Sequence, residues 1–248
     1  MTKHHNILRC CAGISYWQQA VDDVKAIANA KSEKSRGRLL ILMASHISLI
    51  DELSWWNNVI RAHPYNAKAY LRRGMANFKL AEIDRSIQDF DTAEKLDPSV
   101  APYLWQRGLS FYYAERFVEG ANQFELDLTV NSQDVEETVW RYLCIARWDG
   151  AIAARNSLLV VKNDPRLVMN WIYELYAGNR TPDDVLAAGE KEGNSARFYS
   201  HLYVGLYYES QTEQEKAQKF ITKAAQEYQL DDYMWYLANV HQQLRGWS

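Results

Sequence analysis

Two segments of this 248-residue chain repeat each other at a spacing of 34 residues, and few folds accept such a period. Gly74 recurs as Gly108, Phe90 as Phe124, Ser86 as Gly120 and Pro64 as Pro98. A small residue within one helix, followed by a small–aromatic–small pattern on the next, describes a helix–turn–helix unit whose two helices approach closely. Such a unit cannot bury its apolar face alone, so neighbours stack and share a core. The period predicts an all-α fold of stacked helix pairs.

Composition agrees. The chain has 11 Gly and 5 Pro, which suits helices and argues against a many-turned β protein. Net charge is −3, with 28 basic and 31 acidic residues and no block of either sign, so no nucleic-acid partner is implied. The unbroken apolar run Leu39–Ala44 is too short to span a bilayer, so no transmembrane segment is expected. Three cysteines do not make a secreted disulfide framework, and the His4-His5 and Cys10-Cys11 pairs match no structural zinc spacing. No metal and no cofactor is expected. The polar start Met1–Asn6 lacks the apolar stretch of a secretory leader, which predicts an intracellular, soluble protein.

Along the chain, Ile14, Trp17, Val21, Val24 and Ala28 fall at helical steps, and Lys31–Gly37 reads as a loop. Helix returns from Leu39 to Ala62, with Trp56 and Val59 placed as a second repeat helix would place them. Residues 1–63 read as N-terminal helices, a degenerate repeat or cap. Residues 64–248 read as the repeat domain, with repeats at 67–100 and 101–134. A degenerate stretch at 135–197 follows, with helices over Thr138–Trp148, Ala151–Val161 and Arg166–Tyr176. There Ile145, Leu158, Val161, Trp171, Ile172 and Leu175 are expected to be buried. Thr181-Pro182-Asp183-Asp184 is a helix start. A late repeat occupies 198–231, with Gly205 and Ile221, and a cap helix 232–245.

These features resemble the tetratricopeptide repeat (TPR) family across Ala67–Asp134 and Phe198–Asp231. The resemblance implies a right-handed α–α superhelix with irregular middle helices and a C-terminal capping helix. A finer resemblance runs from Pro64 onward. It rests on the two repeats, Trp140-Arg141-Tyr142-Leu143, the insert with Trp171 and Tyr176, and Ala196–Tyr208. That order looks like the bacterial lipoprotein family of new lipoprotein I, adaptors for envelope proteases and cell-wall hydrolases, and like tetratricopeptide relatives in photosynthetic organisms. Leu8-Arg9-Cys10 is a poor lipid-attachment sequence, so the anchor and those partners do not carry over.

No metalloprotease helix, phosphate loop, dinucleotide fingerprint or nucleophile elbow is present, so no catalytic residue is assigned. Asp183-Asp184 and Asp231-Asp232 stand at helix starts and read as caps. By family analogy the first helix of each unit lines a concave face. Its positions hold Lys68, Leu71, Met75, Phe78 and Lys79, then Pro102, Trp105, Leu109, Tyr112 and Tyr113, then Val139, Leu143 and Arg147. This is an apolar, aromatic wall with a few cations, fit for a protein or peptide partner. Two alternatives stay open: a groove for a partner, or a face filled by the first 60 residues. A non-enzymatic adaptor is the first functional expectation. The second is a homodimer formed through Trp235, Tyr236 and Trp247.

Overall fold

The computed structural model describes Lys25 and residues 33–162 and 164–247. The helix expected over Ile14–Ala28, Lys25 apart, and the His4, His5, Cys10 and Cys11 group lie outside the described residues. Two compact units are distinguished, one ending at Glu52 and one running Leu53–Ser248. Helix α1 (Glu33–Ala62) begins in the first and ends in the second. The expected loop at Lys31–Gly37 is therefore helical from Glu33 onward. A mid-helix glycine costs only about 1 kcal/mol, and the leucine-rich sequence after Gly37 offsets it. Leu40, Ile41 and Ile47 are exposed. By length and composition alone, Arg36–Ala62 is long and apolar enough to cross a membrane, with a mean hydropathy of 1.2 over an 18-residue window. The short run Leu39–Ala44 does not reveal this, because polar residues interrupt the apolar stretch.

The second unit continues through α2 (Ala67–Lys79), α3 (Ile83–Leu96), a 3-10 helix (Pro98–Tyr103), α4 (Trp105–Tyr113) and α5 (Phe117–Asp127). After these come α6 (Val135–Asp149), α7 (Ala151–Asn156), α8 (Leu167–Ala177) and α9 (Pro182–Lys191). It ends with α10 (Asn194–Ser210), α11 (Gln214–Glu227) and α12 (Tyr233–Arg245). No strand occurs among the described residues.

The small residues act by close approach. A Cβ on Gly74 would lie 3.1 Å from the Phe90 ring, and one on Gly108 would lie 2.7 Å from the Phe124 ring. Gly205 faces Ile221 in the same way. Each of these hairpins also turns on the same backbone. Ala81, Glu115 and Thr212 are left-handed, with φ of 58°, 59° and 63°. The next N–H reaches back five residues, from Glu82, Arg116 and Glu213 to the carbonyls of Asn77, Phe111 and Tyr208, at 2.9 Å each. That is a helix-closing turn that glycine usually supplies, built here without one.

A second periodic device joins the hairpins. Arg73, Arg107 and Arg141 each hold one group 16 residues ahead and one 16 residues behind. Arg73 donates to Asp89 at 2.9 Å and to Asn57 at 2.9 Å. Arg107 donates to Gln123 at 2.8 Å and to Asp91 at 3.2 Å, and it also pairs with Glu94. Arg141 donates to the Ser157 carbonyl at 2.8 Å and to Glu125 at 3.1 Å. The ladder carries the repeat phase into the third unit. Through Asn57 the ladder reaches back to the end of α1, within the same compact unit.

Departures from regularity have local causes. The second repeat opens with a 3-10 helix before α4 because Pro98 and Pro102 lack the N–H an α-helix needs. The helix expected over Ala151–Val161 stops at Asn156. Arg141 takes the Ser157 carbonyl, Val160 and Val161 are β-branched, and Pro165 bars helix at the residue before it. Ile145, Val161, Ile172 and Leu175 are buried as expected. Leu158 and Trp171 are only half-buried, the latter 4.6 Å beneath the Arg180 guanidinium. At α9, Thr181 and Asp184 form a capping box around Pro182.

Helix α10 packs on α11, α9, α8 and α6, and α12 packs on α11 and also on α2. The last helix thus covers its neighbour as a cap would, and it also reaches α2 of the first repeat. Trp235, expected at an exposed dimer contact, is buried, its indole N–H donating to the Ala225 carbonyl at 3.1 Å.

Candidate binding surface

The inner face of α2, α4 and α6 carries the side chains the sequence assigns to a groove, and much of that face is occupied by α12. Phe78 stacks on Tyr233 at 5.4 Å and meets Tyr113 at 5.8 Å. The Tyr233 ring also stands edge-on to Trp105 at 5.3 Å. Lys79 lies over Tyr233 and Tyr236, at 5.7 Å and 5.0 Å. Lys68 is exposed, and Leu71, Met75, Lys79, Pro102, Trp105, Tyr113 and Arg147 are half-buried. Phe78, Leu109, Tyr112, Val139 and Leu143 are buried.

Beneath α12 sits a polar network around Glu209, whose side chain is 1% exposed. Arg245 donates to it at 2.6 Å, the Tyr112 hydroxyl donates at 3.2 Å, and Arg147 lies 3.9 Å away. His241 Nε2 is 3.6 Å from the same carboxylate, and its Nδ1 shares a 3.0 Å hydrogen bond with the Tyr113 hydroxyl. Burial opposes ionisation of Glu209, but His241, Arg245 and Arg147 outweigh it and hold the carboxyl below its ordinary value. Burial pushes His241 down to about 4, against the pull of Glu209, so the imidazole is neutral near pH 7. Helix α12 is thus fastened to the first two repeats by polar contacts as well as by rings.

Beside α12 the face opens into a cavity of about 620 Å³. Trp105 and Tyr103 line it from the second unit, Glu136, Glu137 and Trp140 from the start of α6, Tyr199 from α10, and Asp232 and Tyr233 from the start of α12. Asp134 and Asn131 complete the rim. Asp232 caps α12 by accepting from the Met234 N–H at 2.8 Å, the role expected of it, and it also accepts from the Tyr199 hydroxyl at 2.8 Å. Glu136 pairs with Arg166 and accepts from the Tyr203 hydroxyl at 2.8 Å. Burial raises both acids on this turn, Glu136 to about 7 and Glu137, with help from Asp134 and Asp127, to about 8.

Of the sequence-assigned groove residues, Pro102 and Trp105 line this cavity. Glu137, Trp140, Tyr199, Asp232 and Tyr233 come from outside the inner-helix positions, and sequence reasoning missed them. The one signal available was the cluster Asp134, Glu136 and Glu137, which exceeds what a helix start needs.

The repeated glycine contacts, left-handed corners and arginine ladder define an all-α helical-repeat fold of the tetratricopeptide type. A solved tetratricopeptide repeat protein from Parabacteroides merdae ATCC 43184 is similar over 97% of this chain and 95% of its own, with 15% identity and a TM-score of 0.49, too distant to bear on function. No family model and no curated protein matches the chain.

Proposed function

We propose that this chain is a non-enzymatic adaptor that holds a segment of another protein at the cavity beside Trp105. The observation that carries this reading is the cavity itself: about 620 Å³, walled by Trp105, Trp140, Tyr199 and Tyr233, the residue types that anchor protein interfaces. The rest of the inner face offers less, because α12 already covers Phe78 and Tyr113. The lipoprotein resemblance supports an adaptor role, not an anchor or a particular hydrolase. The low cysteine content suits an intracellular setting.

The raised acids Glu136 and Glu137 favour a second reading, acid–base catalysis in the same cavity. Glu136 is held by Arg166 and Tyr203, Asp232 by the Met234 N–H and the Tyr199 hydroxyl, and Asp134 by the Glu136 N–H, so each neighbouring acid is already engaged. The adaptor reading is therefore preferred.

Selection from a displayed peptide library on the purified protein tests it. Segments should be enriched that bind the wild type and lose binding to Trp105→Ala, with the helical signal of the variant intact. Enriched segments that bind both proteins equally would move the site elsewhere, and a selection that enriches nothing would refute the adaptor.

A further inference from the structure

The cavity gathers acidic groups that its own surroundings leave short of positive charge, and this identifies what a partner puts there; the inference rests on the adaptor reading and specifies it. Arg166 pairs with Asp164 at 2.7 Å, Asp134 at 3.5 Å and Glu136, so one guanidinium serves three carboxylates. Glu137 and Asp232 stand outside that set. Glu137 is only 8% exposed, and its Oε2 has no hydrogen-bond partner. A buried carboxylate oxygen left unpaired is costly, and a donor brought by a ligand would satisfy it. Burial and the neighbouring acids Asp134 and Asp127 push this carboxyl upward where positive charge is lacking, so it keeps its proton near pH 7, and a cation brought beside it favours the carboxylate.

The walls select the kind of cation. A hard metal ion needs several converging oxygen ligands, and no group of three or more His, Cys, Asp or Glu residues among those described could hold one. Aromatic faces attract organic cations instead. A lysine or arginine suits both parts of the cavity, with an apolar stem for the rings and a charged head for the acids.

We propose that the cavity takes one lysine or arginine side chain of the partner segment, its head met by Glu137 and Asp232 and its stem by Trp105 and Trp140. Positive charge on the segment is then the primary requirement for capture, and its remaining sequence is secondary.

The test uses the full chain and short capped peptides, Gly-Gly-Lys-Gly-Gly, its arginine counterpart and its norleucine counterpart, with butylammonium as a free amine. Binding is followed through the indole N–H resonances of Trp105 and Trp140. The lysine and arginine peptides should shift both signals and the norleucine peptide neither. Glu137→Gln should weaken the lysine peptide by about tenfold, the loss of one charge-assisted hydrogen bond. Equal binding of the norleucine peptide by the wild type would overturn the proposal whatever the variant does. Undiminished binding by a folded Glu137→Gln variant would also overturn it. Butylammonium binding as tightly as the lysine peptide would make the ligand a small amine and overturn the peptide assignment. Library segments that depend on Trp105 but carry no Lys or Arg would leave the adaptor standing and remove this inference alone.

Discussion

Replacing Glu137 with glutamine should stabilise the protein at pH 8 and leave it nearly unchanged at pH 5. An ordinary glutamate titrates at 4.5, and burial, then Asp134 and Asp127, push this one up to about 8. Between those values the folded chain keeps a proton that the unfolded chain has released. Stability therefore falls as pH rises from about 4.5, and the loss is complete above about 8. Each pH unit is worth about 1.4 kcal/mol, which sets a ceiling of roughly 5 kcal/mol for the window. Asp127, itself pushed up to about 7, titrates in the same window and shares the effect, so about 2 kcal/mol is the expected share at pH 8. Glutamine keeps the shape and carries no charge. A body of this size shifts by about 2–4 °C per kcal/mol. Glu137→Gln should therefore melt roughly 4–8 °C higher than the wild type at pH 8, and within about 1 °C of it at pH 5. Thermal melts followed by the helical circular-dichroism signal measure this. A lower melting temperature at pH 8, or the same difference at both pH values, would refute the reasoning.

His241 works in the opposite sense. Its folded value of about 4 lies below the ordinary 6.5, so stability is lost as pH falls from about 6.5 through about 4. His241→Gln should flatten that acid limb in melts between pH 7 and 4, with Glu209, Arg147, Arg245 and Tyr113 the groups facing it. Arg107→Met should cost about 1–3 kcal/mol in urea unfolding, because the guanidinium is 9% exposed while its partners Asp91 and Glu94 can rehydrate. Gly108→Ala should cost about 1–3 kcal/mol and Gly74→Ala close to nothing, since the added methyl meets a ring at 2.7 Å in one case and 3.1 Å in the other. Equal costs in urea titrations would remove the close-approach account.

The repeat units were legible because their cause is local and periodic. Gly74 and Gly108 announce the close helix contacts, and Pro98 marks a unit boundary. The arginine ladder was equally visible as Arg73, Arg107 and Arg141 at the same period, but a charged residue on a helix reads as solvated until its partners are placed. The seating of α12 was not legible. Tyr113 meets His241 across 128 residues and Tyr112 meets Glu209 across 97, and no period links such pairs. The cavity was hidden for the same reason: Trp105 was readable, whereas Glu137, Tyr199 and Asp232 come together only after α10 and α12 have folded back. Residues 158–161 misled by their apolar character, which served burial of Val161 without a helix.

The contact of α12 with α2 has a consequence for how the molecule is made. The face bearing Phe78 and Tyr113 leaves the ribosome well before the helix that covers it, since α12 follows it in the chain. Until α12 emerges those rings lack the cover of Tyr233 and His241, and a chain cut short before Tyr233 can never supply it. Unfinished products would thus display an aromatic face absent from the finished protein, a mark by which chaperones and proteases tell the two apart.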